Sequence, residues 1–104
     1  MNAALGTELK IEEKQKIMNL IMYALFHVRT LEDVQQNQFM YNPYASFTEE
    51  FDRERQQTVI KTIEWALNLE NIEQCCTLPN LPFESEFKKE YLRIVLGHFK
   101  SAMA

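Results

Sequence analysis

Glycine occurs only twice and proline three times in 104 residues, too sparsely for a loop-rich scaffold. The two glycines, Gly6 and Gly97, lie at opposite ends of the chain, so no glycine-rich loop can cradle a phosphate. Walker-type, GxGxxG, HExxH and GxSxG patterns are all missing, which leaves nucleotide binding, zincin chemistry and a serine nucleophile without a sequence basis. The only cysteines, Cys75 and Cys76, are adjacent and cannot close a long loop. A disulfide scaffold is therefore excluded, and reduced thiols in a cytoplasmic protein are the expectation.

Positive charge is also scarce, with 11 basic residues against 15 acidic ones and a formal net charge of -4. Such a balance offers no general attraction to nucleic-acid phosphates or anionic lipid. The densest basic cluster, Lys88, Lys89 and Arg93, would form a small patch giving weak, salt-sensitive contact, and no nucleic-acid partner is expected. The strongest apolar stretch, Ile17 to Val28, is bounded by Lys16 and Arg29 and interrupted by Asn19 and His27. It falls short of the roughly 20 residues needed to span a bilayer, so it reads as a buried helix and no membrane partner is expected. Met1 to Gly6 lacks the basic region and apolar run of a secretory signal.

The chain does contain enough apolar side chains for a core: 46% of its residues are hydrophobic and 25% are charged. These proportions predict one folded domain over 1–104, with 1–6 and 101–104 fraying. A first helix is expected to start with Thr7 as its N-cap and Glu8 in its first turn. Ile11, Met18, Ile21, Leu25 and Val28 recur at helical spacing, while Leu20, Tyr23 and Phe26 widen the stripe until it nearly encircles the later turns. This helix is placed at the centre of the bundle, or with its surplus face against another chain. Thr30-Leu31-Glu32-Asp33 signals a short second helix over roughly 31–38, capped by Thr30.

From Phe39 to Phe47 the helical rhythm breaks, with Pro43 barring a helix through Asn42. Four aromatics, Phe39, Tyr41, Tyr44 and Phe47, fall within these nine residues. They either close the core or display a binding surface. Ser46 and Glu49 match a capping box, with Thr48 as an alternative cap, and predict a long third helix over 47–71. Its inward stripe is Phe51, Val59, Ile63, Ala66 and Leu67, while Trp65, Leu69 and Ile72 drift towards the aromatic connection or the last helix. Pro79 and Pro82 predict a rigid, partly extended crossing, followed by a fourth helix from 83–85 to about 100. Gly97 in that helix costs about 1 kcal/mol of propensity relative to Ala and predicts a close helix approach there. The fold class that follows is all-α: a small irregular or orthogonal helical bundle of three long helices and one short helix.

No catalytic, cofactor-binding or metal-ligating residue is assigned. His27 and His98 lack neighbouring ligand partners, and Cys75-Cys76 lacks the spacing of a zinc knuckle. Glu73 and Gln74 precede the cysteines, and a neighbouring carboxylate does not favour a thiolate. The carboxylate clusters Glu12-Glu13, Glu32-Asp33 and Glu49 to Glu54 sit where helix starts and solvated faces are expected. What remains is a surface. Tyr41 and Tyr44 beside the fixed Pro43 form a preorganised aromatic segment, and Glu49, Glu50 and Glu54 give it an acidic rim suited to a partner with a basic patch.

The functional expectation is a small intracellular protein-interaction domain acting as an inhibitor, immunity-type neutraliser or regulatory adaptor, not an enzyme, and without a cofactor. One alternative is a structural homodimer that buries the over-wide first helix between copies. The other is a small enzyme whose pocket gathers His27 or His98 with a thiol or carboxylate.

Overall fold

A computed structural model describes residues 9–104. Thr7, Glu8 and the expected fraying of 1–6 lie outside them. Among the described residues there is no strand, and three long helices form the bundle: α1 (Ile11–Met22), α4 (Arg53–Leu67) and α5 (Ser85–Met103). Two short helices, α2 (Leu31–Gln35) and α3 (Tyr44–Glu49), and single turns of 3-10 helix at Tyr23–Phe26 and Ile72–Cys75 complete the architecture.

The core is the meeting of the three long stripes. Met18, Ile21 and Met22 of α1, Val59, Ile63 and Ala66 of α4, and Tyr91, Leu92, Val95 and Phe99 of α5 are all buried, together with Phe47 from α3. Helix α1 tightens into 3-10 geometry at Tyr23, and at that point the Tyr91 hydroxyl donates to the Ile21 carbonyl oxygen at 2.6 Å. This bond gives the one polar atom of a deeply placed ring a partner, as a buried hydroxyl requires. Burial pushes the Tyr91 phenol well above its ordinary pKa.

The caps explain where helices start. The Thr30 hydroxyl accepts from the Asp33 amide at 3.3 Å, as the sequence predicts, and opens α2. The expected continuous helix over 47–71 is divided. Ser46 does not cap it, and the Thr48 hydroxyl donates backwards to the carbonyls of Tyr44 and Ala45. Asp52 is the residue that starts the long helix, accepting from the Arg55 amide at 2.8 Å. The division has a packing reason. With α3 and α4 as separate rods, Phe47 lies stacked on Phe99, with ring centroids 4.0 Å apart, while the Val59–Ile63–Ala66 stripe faces the same core from α4. The Gln56 side-chain amide donates to the Phe47 carbonyl at 2.8 Å and fastens the junction.

Three other segments gain detail. Within the partly extended crossing over 71–82, Asn71 caps a turn of 3-10 helix through the Glu73 amide, and a turn at Pro79-Asn80 follows. Trp65 meets α1, with the Lys14 ammonium 5.1 Å above its ring. Helix α5 continues past Lys100 to Met103, which packs against the core.

Gly97 stands in open space, with nothing within 4 Å of a Cβ placed there, so no close helix approach requires it. Gly97→Ala is therefore expected to stabilise the domain by about 0.5–1 kcal/mol, from higher helix propensity and a less free unfolded chain. Urea unfolding would register this as a higher midpoint at unchanged slope. An unchanged or lowered midpoint would contradict an unencumbered position.

Candidate interaction surface

Tyr41, the first of the two tyrosines singled out by sequence, is held outward by a local clip. Its backbone adopts a left-handed conformation, φ 61°, costly for an aromatic residue by about 1–2 kcal/mol. Asn37, four residues earlier, is left-handed as well, with φ 59°. Asn42 closes the intervening loop: its side-chain amide donates to the Asn37 carbonyl and to Asn37 Oδ1, and its own Oδ1 accepts from the Tyr44 amide. These three bonds hold the loop that carries Tyr41 and offset its backbone strain.

That ring meets side chains from the end of the first helical segment. Tyr41 lies edge-on to Tyr23 at 5.1 Å and 4.6 Å from the His27 ring, and Tyr23 in turn meets Phe26 edge-on at 5.6 Å. Tyr41 is nevertheless 56% exposed, and the neighbouring Leu20 and Met40 are 62% and 61% exposed. The surplus apolar residues of the first helix and the aromatic connection thus form one outward-facing patch. A contiguous apolar patch on a small domain commonly marks an interaction site.

Beside the patch lies a groove of about 580 Å³ between α1 and the Tyr41–Phe51 segment. Its apolar floor includes Ile17, Ile21, Val59 and Phe99, and Tyr23, Tyr41 and Pro43 stand around it. Glu50 lines the same groove. Glu54 lines a more polar neighbouring cleft between α1 and α4, and Glu49 is exposed at the end of α3. Tyr44 occupies a different position from Tyr41. It is only partly exposed and packs against His98 and Phe99, so it joins the closure of the core.

Sequence reasoning passed over Tyr23 and His27 as partners of Tyr41, and Phe26 as a partner of Tyr23. The signal was the over-wide apolar stripe, which at Leu20, Tyr23 and Phe26 has more greasy side chains than one core can cover. The basic cluster on the last helix is not a patch. Lys88 is 3% exposed and ion-paired with Glu73, while Lys89 and Arg93 pair with Glu86 and Glu90 one turn away. His98 is engaged by the Val34 carbonyl at 2.8 Å, and the His27 ring lies tilted against Tyr23 and Tyr41 in the aromatic patch. Among the described residues, no three His, Cys, Asp or Glu side chains gather as a ligand set.

Comparison with protein-family models, with curated proteins and with solved structures finds no match to this chain. The reading of the surface therefore rests on its own geometry. Among the described residues, no helix is long and apolar enough to cross a membrane.

Proposed function

We propose that this chain is a small protein-interaction domain, an inhibitor, neutraliser or regulatory adaptor, that binds a protein partner through the Tyr41 patch. The observation that carries the reading is the clipped, outward-held Tyr41 ring standing on Tyr23 and His27. A rigid aromatic anchor loses little freedom on binding, the economy that marks interface hot spots. Glu49 and Glu50 supply an acidic border for a partner with a basic patch, which would quicken encounter at low salt. Glu50 lines the groove beside Lys16 and Arg55, so the acidic border is confined to the Glu49–Glu50 end of α3.

A photoreactive phenylalanine analogue at position 41, with the same group at exposed Glu70 as control, identifies the partner in the native cell by crosslinking. The purified complex is then titrated. Tyr41→Ala is expected to weaken affinity by about 30-fold or more, corresponding to roughly 2 kcal/mol, while its melting temperature stays that of the wild type. Wild-type affinity in this variant, or an affinity lost only together with the fold, would contradict the assignment.

The exposed Leu20 and Phe26 beside the patch favour a second reading, in which a second copy of the chain covers this face. Sedimentation velocity over a range of concentrations separates the two. Concentration-dependent dimers abolished by Tyr41→Ala support self-association, and a monomer at high micromolar concentration speaks for a different partner.

A further inference from the structure

The cleft between α1 and α4 collects positive charge that the last helix neutralises. It has a volume of about 810 Å³. The two helices run side by side in opposite directions, since the Lys14 ammonium meets Trp65 near the end of α4 while Leu20 shares the lining with Asp52 and Arg55 at its start. Ile17, Leu20 and Trp65 give the cleft an apolar strip, and Lys14, Lys16, Arg55 and Lys61 line it as well. Among the described residues, every cation of α5 is ion-paired: Lys88 with Glu73, Lys89 with Glu86, Arg93 with Glu90 and Lys100 with Glu64. None of the four cleft cations has such a partner there. The carboxylates of the same cleft all stand at helix starts. Glu13 accepts from the Lys10 amide, Asp52 accepts from the Arg55 amide, and Glu54 lies in the first turn of α4. Helix-start amides already meet that negative charge, so the four cations are left with theirs unmatched.

We propose that this cleft docks an acidic amphipathic helix of a protein partner, with apolar side chains on Leu20 and Trp65 and carboxylates reaching Lys14, Lys16, Arg55 and Lys61. The shape suits a helix. From Arg55 to Trp65 the groove runs about 15 Å at 1.5 Å per residue, and a third helix packs between two others at the usual interaxial spacing of about 8–10 Å. An extended peptide draws its affinity from a strand edge, and there is no strand among the described residues. A nucleic acid fits less well. Glu13, Asp52 and Glu54 would oppose a continuous run of phosphates, and the apolar strip would gain nothing from them.

Lys16, Leu20 and Arg55 also line the groove beside Tyr41, so the two surfaces adjoin. Their chemistry differs: the aromatic patch carries Glu50, whereas Lys14, Lys61 and Trp65 belong to the α1–α4 cleft alone. Docking of the acidic helix uses neither Tyr41 nor Tyr23 and is independent of what the aromatic patch binds.

Trp65 is the only tryptophan in the chain, so its fluorescence reports on the cleft directly. The full chain is titrated with two tryptophan-free, lactam-constrained synthetic helices of about four turns, which share one leucine stripe and carry either glutamate or lysine beside it. The glutamate helix is expected to shift the Trp65 emission saturably and, at low salt, to bind at least about tenfold more tightly than the lysine helix. A chain carrying both Lys14→Gln and Lys61→Gln should bind it about tenfold more weakly at an unchanged melting temperature, while Tyr41→Ala should stay within about twofold of wild type. No saturable shift, equal binding of the two helices, or full affinity in the doubly substituted chain would overturn the proposal. Binding lost with Tyr41→Ala would also overturn it, by placing the helix on the aromatic patch. A thymidine oligonucleotide that bound more tightly than the glutamate helix would assign the cleft to nucleic acid instead. Should the doubly substituted chain melt lower, Lys61→Gln alone decides at an exposed position: about threefold weaker binding is expected, and wild-type affinity refutes the assignment.

Discussion

Phe47→Ala is expected to remove about 3–5 kcal/mol of stability, a large part of the roughly 5–15 kcal/mol that holds a domain of this size together. Phe47 is fully buried, stacked on Phe99 and edge-on to Phe51. Its truncation removes the transfer energy of a whole ring and leaves a cavity between α3 and α5. Neither short helix α3 nor the Gln56 bond to the Phe47 carbonyl can collapse into that space without moving the Asp52 cap. Thermal unfolding should show a midpoint lowered by at least about 12 °C, taking about 4–8 °C per kcal/mol. Phe83→Ala is the control, because Phe83 stacks on Phe87 at 3.9 Å yet remains partly exposed. Its loss should cost about 1 kcal/mol. Comparable losses in the two variants would contradict the placement of Phe47 at the centre of the core.

Glu73→Gln is expected to cost more than Lys88→Met, although both remove the same ion pair. The glutamine leaves an ammonium that is 3% exposed without its counter-charge, and an unpaired buried charge is a large penalty. Because the Glu73 carboxylate is about half exposed, the ammonium can follow it partway towards water, and the expected loss is about 2 kcal/mol, below that of a fully enclosed pair. Methionine at position 88 instead fills the same channel with an apolar chain, at an expected cost of about 1 kcal/mol or less. Urea unfolding of both variants at neutral pH checks the order. A Lys88→Met variant weaker than Glu73→Gln would mean that the pair contributes net attraction rather than merely satisfying a buried charge.

The helical class and the three main stripes were legible because their apolar periodicity is a local property of the chain. Thr30 as a cap and Pro43 as a boundary were legible for the same reason: each acts within one turn of itself. The division at Phe51–Asp52 was not. Ser46-x-x-Glu49 and Asp52 compete for the same start, and the winner is set by the distant Phe99, against which Phe47 packs. Lys88 shows the same limit. Beside Lys89 and Arg93 it looks like surface charge, and only the return of the Ile72–Cys75 turn onto α5 buries it against Glu73. In the candidate surface, the exposure of Tyr41 was suggested by its proline-bounded aromatic setting. Tyr23 and His27 were not legible, because their meeting with Tyr41 depends on the left-handed turn that Asn37 and Asn42 hold in place.

The central claim is that the three long helices share one interior and leave a fixed aromatic patch outside it. Proton NMR on a dilute sample, with a soluble paramagnetic agent added during nuclear Overhauser spectroscopy, tests both halves at once. The account predicts cross-peaks linking the Tyr41 ring to those of Tyr23 and His27, attenuated strongly by the agent, while Phe47, Tyr91 and Phe99 signals persist. A Tyr41 ring as sheltered as Phe47, or one with no cross-peak to Tyr23, would contradict it.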